Sequence, residues 1–457
     1  MPRKIGSIPK VTCVDTLLQV EKYHNRETFK TIEEDKRQED LHHRSQLHKS
    51  YEITIITPIF GGGIFPGKVN AAEPVRSSSV RGHLRFWWRA TRGATSANAQ
   101  DLKKREAEIF GDTSRPSKIK LWVESYKDKP KRTSDKLPSY ALFPFNNETK
   151  KTSVEDGYMR KFKLHIQLDV GESGLLVSDI EPALWAWINF GGIGARTRRG
   201  CGSLYCEKFS PPSECTKESF VQWFENKVGE YKLELLESPD TREWPTLSKR
   251  FEVAHSSGSN ITSWSNSIEA YRNFRSRANK GGKKRSFWPE ADTIRHLTKM
   301  TVKKHQDPFP EKPKDLIAFP RAEFGLPIIY QFNPKDNNQG NGSEPFRTTL
   351  QPKDKSRLAS LLILKAVAIS ENKGFGIFLV LNQPRLKEIE LIKNGGGRGW
   401  ERKFDAKHIY SQLDYLDTPM KDLDGNLYCS AIDAFMNSEE VNRFCGMNNN
   451  QTKRNHK

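Results

Sequence analysis

The sequence predicts an α+β fold of two ferredoxin-like (RRM-like, βαββαβ) domains in tandem with helical insertions. Three observations carry that prediction. Residues 51 to 209 read in the order strand, helix, strand, strand, helix, strand. "KFKLHIQLDV" alternates apolar and polar side chains with the period of a half-buried strand. A second, fainter run of similar elements begins at about residue 246. With 457 residues the chain has room for two or three domains, each burying its own core.

Residues 1–50 carry charge of both signs and few aliphatic side chains, which suits a charged N-terminal extension. The first ferredoxin-like domain is expected over 51–210. It opens on "YEITIITPIF", a β-branched run stopped by Pro58 and Gly61 to Gly63. A helix capped by Ser77, Ser78 or Ser79 follows, then a strand at "KIKLWVESY". "KFKLHIQLDV" places Phe162, Leu164, Ile166 and Leu168 on one face and Lys163, His165, Gln167 and Asp169 on the other. "DIEPALWAWINFGG" is a nearly all-apolar helix with Pro182 in its first turn, and "GSLYCEKF" closes the unit as a strand. Residues 211–245 read as a connecting amphipathic helix.

The second domain is expected over 246–400, with "RFEVAHSS" its first strand and "ITSWSNSIEAYRNFRSRAN" its helix. "FGLPIIYQF" would be the next strand, and "RLASLLILKAVAI" with "GFGIFLVLNQP" a closing hairpin. Residues 401–457 form a C-terminal extension with a disordered tail.

Lysine and arginine number 75 against 56 acidic residues, a net charge of +19, which points to a polyanion and first to nucleic acid. No apolar run approaches the roughly 20 residues that span a bilayer, and "MPRKIGSIPK" lacks the apolar core of a signal peptide, so no membrane partner and a cytoplasmic location are expected. Six cysteines show no zinc-like spacing and read as reduced thiols. "DLDGN" at 422–426 departs from a calcium loop and reads as a turn. No metal, cofactor or small-molecule substrate is expected.

Two segments hold the chemistry. "RSSSVRGHLRFWWRATRG" packs five arginines, Arg76, Arg81, Arg85, Arg89 and Arg92, around Phe86, Trp87 and Trp88. At about 100° per residue the last four fall within a sector of about 80°, while the tryptophans occupy the sector that enters the core. Like charges at this spacing repel by a few tenths of a kcal/mol per pair, a cost that phosphate oxygens reverse. The segment contains no acid to pair with them. "GGIGARTRRGCG" sets five glycines, Gly192 and Gly194 among them, around Arg196, Arg198 and Arg199. Glycines admit a close backbone approach and leave N–H groups open, and the cations neutralise phosphate. It lacks the lysine and hydroxyl residue of a P-loop, and it follows a helix, unlike a dinucleotide fingerprint. "AYRNFRSR" interleaves Arg272, Arg275 and Arg277 with Tyr271 and Phe274 and offers a further stacking or phosphate patch.

"TPIFGGG", "VRSSSVRGHLRFWWRA", "GGIGARTRRGCGSL", "RSFWPEADTIRHL" and "FPRAEFGLPI" together resemble the RAMP subunit of type III-B (Cmr) CRISPR effector complexes that lies at the 3′ end of the guide RNA. The resemblance covers about residues 54 to 365. It implies two ferredoxin-like domains, a non-catalytic role, and as partners guide RNA (crRNA), target RNA and other RAMP subunits. It carries RNA contacts onto Arg76, Arg81, Arg85, Arg89, Arg196, Arg198 and Arg199, and more loosely onto Arg285, Trp288 and the "RLAS" of Arg357 to Ser360. Guanidinium groups from the two segments are expected to converge on one strand, with base pairing supplying sequence discrimination. The rival reading is a metal-independent endoribonuclease that processes guide precursors. His165 would then be its acid–base residue, whereas His83 lies opposite the arginine stripe. A DNA-binding structural protein is the third.

Overall fold

The computed structural model describes residues 46–61, 69–70, 73–125, 137–142, 161–236, 242–277, 286–305, 317–332, 343–353, 355–382, 388–394, 401–405, 418–422, 424–428 and 430–447. The tail after 447, Arg285, and most of the extension before residue 51 lie outside them.

Strand β1 (Gln46–Ile55) pairs antiparallel with β3 (Lys161–Asp169), from Gln46 opposite Asp169 to Thr54 opposite Lys161. β2 (Ile119–Ser125) pairs with the other edge of β3, and the short β4 (Leu204–Tyr205) with β1. The sheet order is β2-β3-β1-β4, all neighbours antiparallel. β1 starts five residues earlier than its apolar pattern predicts. Its leading "QLHKS" exposes three of its five residues and so carries no alternation to read; pairing with β3 alone makes it a strand.

Helices α1 (Ser77–Ala90) and α3 (Glu181–Phe190) cover one face of this sheet. Every residue of α3 is buried, which explains an apolar run without an amphipathic period. α1 inserts Val80, Leu84, Trp87 and Trp88 into the core beside Ile53, Leu164 and Ile166. Its N-cap is Arg76 with no side-chain cap, contrary to the serine expectation; Ser77 instead accepts from the N–H of Val123 at 3.1 Å, tying helix to strand. An additional helix, α2 (Ala99–Phe110), lies between α1 and β2, capped by Asn98 and stopped at Gly111.

Helix α4 (Lys217–Glu230), opened by a Thr216–Ser219 capping box, leads into the second half as predicted. There β5 (Phe251–Val253) and β6 (Gly258–Ser259) pair along one edge of β10 (Lys373–Val380), and β9 (Leu362–Ala368) along the other. Helix α5 (Asn260–Arg275) packs on β9 and β10, with Ser263 Oγ donating to Gly374 O at 2.8 Å.

The β9–β10 hairpin forms as predicted, but β10 sits in the middle of this sheet rather than closing it. "FGLPIIYQF" contributes β7 (Ile328–Tyr330) to a separate sheet with β8 (Thr348–Pro352), β11 (Glu388–Lys393) and β12 (Glu401–Asp405), in the order β12-β11-β8-β7. Its core joins Leu350, Ile389 and Leu391 to Ile294 of α6 (Glu290–Thr298). Strands this short, paired across long insertions, leave little local pattern.

Helices α7 (Ala431–Met436) and α8 (Glu439–Phe444), from the segment set apart as a C-terminal extension, pack Phe435 and Phe444 onto Phe378, with ring centroids 5.0 and 4.3 Å away. β9 is buried along its whole length. Ile363 and Val367 enter the core of the first half, and Leu362, Leu364 and Ala366 the core beneath α5. One strand thus belongs to both hydrophobic cores.

Candidate nucleic-acid interface

The arginine stripe forms on α1 as its spacing predicts, but it is already occupied. Arg85 Nε and a terminal nitrogen of Arg89 lie 2.6 and 2.7 Å from the same oxygen of Glu106, a buried carboxylate on α2. Arg81 donates to the carbonyl of Phe110 at the end of α2. Arg92 donates to the carbonyls of Ser178 and, at 3.0 Å, Lys232. The acid missing from the arginine segment comes from the next helix. Asn98 before an amphipathic run and Gly111 after it would have located α2 and placed Glu106 on a single face with Leu102.

The glycine segment is a tight, left-handed-rich turn. Positive φ occurs at Gly194, Arg196, Gly200 and Gly202. A Cβ on Gly202 would lie 2.0 Å from the carbonyl oxygen of Ile193, so glycine is required there. Thr57 holds the turn from β1's side: its Oγ1 donates to Gly200 O at 2.6 Å and accepts from Ser203 N at 2.8 Å. The amides of Ile193, Ala195, Arg199, Gly200 and Gly202 are bonded within this framework. Those of Gly194, Arg196 and Thr197 have no partner among the described residues.

Two of the three loop arginines turn inward and dock the second half. Arg198 donates to Ser360 O and lies 5.7 Å above the Phe86 ring. Burial pushes it down to about 10, helped by neighbouring Arg199. Arg199 donates to Tyr271 Oη at 3.1 Å and Phe324 O at 3.0 Å, stacked 4.4 Å from the Tyr271 centroid. The Trp264 indole returns a bond to Arg199 O at 2.6 Å. Arg196 differs: its guanidinium makes no hydrogen bond or ion pair among the described residues, and its Nε is buried without a partner. Burial and the Arg199 charge lower its basicity.

Loop and helix do meet, but on the flank of α1 away from the stripe. Trp87 Nε1 closes on Gly191, Phe86 carries Arg198, and His83 stacks near Trp187 with centroids 6.0 Å apart. Burial lowers His83. Convergence of the stripe and the loop on one strand is therefore not what the fold provides. Arg81, Arg85 and Arg89 face α2 and Arg92 turns to Ser178 and Lys232, whereas the loop meets the flank that carries His83, Phe86 and Trp87.

The other expected contacts divide as follows. Arg76 is half-exposed at the N-terminus of α1. Arg272 pairs with Glu269 at 2.8 Å. Arg275, expected at a surface patch, is half-buried and donates to Tyr140 Oη at 2.7 Å, and Tyr271 and Phe274 beside it are core residues. The indole of Trp288 is likewise fully buried. His165, the rival reading's acid–base candidate, does lie on the polar face of β3, yet it is 8% exposed. Among the described residues no cluster of His, Cys, Asp or Glu is arranged to hold a metal, and Cys201, Cys206, Cys215 and Cys445 are free and buried.

A model of the RAMP superfamily matches residues 52–205, the span of β1 through β4 and the glycine segment. Two curated proteins of Pyrococcus furiosus also match. CRISPR system Cmr subunit Cmr1-1 is 30% identical over 164 residues, 35% of this chain and 47% of that protein. Cmr subunit Cmr1-2 is 30% identical over 180 residues, 34% of this chain and 92% of that protein. The chain belongs to the Cmr1 family. It spans about half the length of the first of these Cmr1 relatives. Among solved structures it is similar to apo Cmr1 of Pyrococcus furiosus, with 17% identity, 74% of this chain and 89% of that one covered, and a TM-score of 0.44. It is also similar to a chain of a type III-B Cmr-beta complex solved by cryo-electron microscopy with cognate target RNA, at 14% identity, 74% and 94% coverage and a TM-score of 0.43. The glycine segment with Arg196, Arg198 and Arg199 falls within the family match, and the residues they dock against, Tyr271, Phe324 and Ser360, fall beyond it.

Proposed function

We propose that this Cmr1-family chain is a non-catalytic RNA-binding subunit of a cytoplasmic type III-B CRISPR ribonucleoprotein. Its task is to hold the 3′ region of the guide RNA and its paired target RNA beside other RAMP subunits for antiviral defence. In this reading its two halves are tandem ferredoxin-like domains, with β2-β3-β1-β4 the split order of the first. The second keeps the strand–helix–hairpin part of that pattern in β5/β6, α5, β9 and β10.

Arg196 carries the reading. It is a cation held in the left-handed region at φ 59°, unpartnered among the described residues, next to the unpartnered amides of Gly194 and Thr197. Amides alternating with left-handed positions form a concavity for a phosphate, and a guanidinium beside it supplies two forked donors. Arg198 and Arg199 serve it indirectly, by fastening the turn to the second half. The net charge of +19 supplies the long-range attraction, and backbone contacts leave sequence discrimination to base pairing.

The test is retention of a single-stranded RNA by the full chain carrying Arg196→Asn, a residue that tolerates left-handed backbone. Affinity is expected to fall several-fold with a shallower salt dependence and an unchanged melting temperature. Equal retention by both proteins would refute the role of Arg196. Stronger binding to matched DNA than to RNA would refute the RNA assignment.

A further inference from the structure

The face of the first sheet opposite α1 and α3 is not covered by any described element, and it carries an ordered stack of rings. Trp122 on β2 and His165 on β3 are cross-strand partners, with rings 4.9 Å apart and 2° from parallel. His48 on β1 joins them, 5.3 Å from Trp122 at 8°. The two imidazoles bond to each other, His48 Nε2 to His165 Nδ1 at 3.0 Å, and His165 Nε2 bonds Glu124 at 3.1 Å. Both nitrogens of His165 are therefore engaged and its ring cannot rotate freely.

We infer that Trp122 and the His48–His165 pair beneath it form a stacking platform for one unpaired nucleobase of single-stranded RNA. Trp122 is 39% exposed although it is a large apolar side chain, and it stands on β2, an edge strand of the sheet. Its inner face rests on the imidazoles, so a planar ligand extends the stack by one ring with no rearrangement. Lys120 on the same strand is exposed, and Lys163 crosses beside Glu124; neither lysine forms an ion pair among the described residues. A protein-docking patch would join several apolar side chains, whereas here a single exposed indole is bordered by Lys120, Glu124, Lys163 and Gln167. One flat ring with cations within reach suits a base and its phosphates.

This inference rests on the chain being an RNA-binding subunit, and the experiment separates the two claims. A single-stranded oligouridine carrying 4-thiouridine is bound to the full chain, photo-crosslinked and mapped by peptide mass spectrometry. Parallel measurements use Trp122→Ala, Trp122→Phe and Arg196→Asn. The platform predicts a crosslink within Ile119–Ser125, an affinity about tenfold lower for Trp122→Ala, and near-complete rescue by Trp122→Phe, all without a change in melting temperature. If Arg196→Asn weakens binding while Trp122→Ala leaves affinity and crosslink intact, the platform is wrong and the RNA reading stands. If the wild-type chain binds no RNA, both fall. If Trp122→Ala blocks assembly with another subunit but not RNA binding, the face docks protein and the inference is overturned.

Discussion

The side-chain nitrogen Nζ of Lys365, on strand β9 of the second half, lies 2.8 Å from the carbonyl oxygen of Gly191, the residue that ends helix α3 of the first. It also donates to Ile188 O at 3.3 Å. A fully buried lysine thus satisfies two carbonyls left open at a helix C-terminus, at the entrance to the glycine segment. With Arg198 and Arg199 reaching the opposite way, the two halves exchange side-chain donors in both directions across the junction.

Lys365→Met removes both donors and leaves the carbonyls buried. At pH 9 it is expected to cost about 1–3 kcal/mol of unfolding free energy, measured by denaturant titration. The pH dependence has a defined sign. Burial pushes Lys365 down from 10.5 to about 7, so between those values the unfolded chain binds a proton that the folded chain does not. Wild-type stability should rise from pH 7 towards pH 10, and the difference from Lys365→Met should shrink as the pH falls to 6.

Glu106→Gln tests the reading of the stripe as an internal ion-pair cluster. It removes the negative charge shared by Arg85 and Arg89, which are 40% and 32% exposed, so the loss is moderated by solvent to about 1–2 kcal/mol. Thermal unfolding should move down accordingly. RNA affinity should stay unchanged, because Arg85 and Arg89 are not proposed phosphate ligands; a rise would return the freed stripe to the binding surface.

Gly202→Ala places a methyl group against Ile193 O and forces an L-residue to φ 63°. A destabilisation above about 2 kcal/mol is expected, with loss of RNA retention as the turn rearranges. Gly174→Ala, where a Cβ meets nothing within 4 Å, is the matched control and should be neutral in both assays.

Much of the first half is legible in sequence because its elements are locally consistent. β3 alternates, α3 is uniformly apolar with Pro182 at its start, and the glycines of 191–202 mark a turn that needs positive φ. Most partners of its cations are not legible. Glu106, Ser360, Phe324 and Ser178 lie 17 to 162 residues from the arginines they bond, and three of these four act through backbone oxygens that any residue would carry. The same limit hid the sheet of β7, β8, β11 and β12, whose strands meet only across long insertions. The ring stack escaped for another reason. His165 and Trp122 were visible as polar-face and strand residues, but their juxtaposition depends on the register between β2 and β3.

Because β9 lends one side to each hydrophobic core, opening the molecule between its halves would strip both sides of that strand at once. Such a subunit cannot act as a pair of jaws. Its two halves move as one rigid body, and amide exchange along Leu362–Ala368 should proceed only through global unfolding.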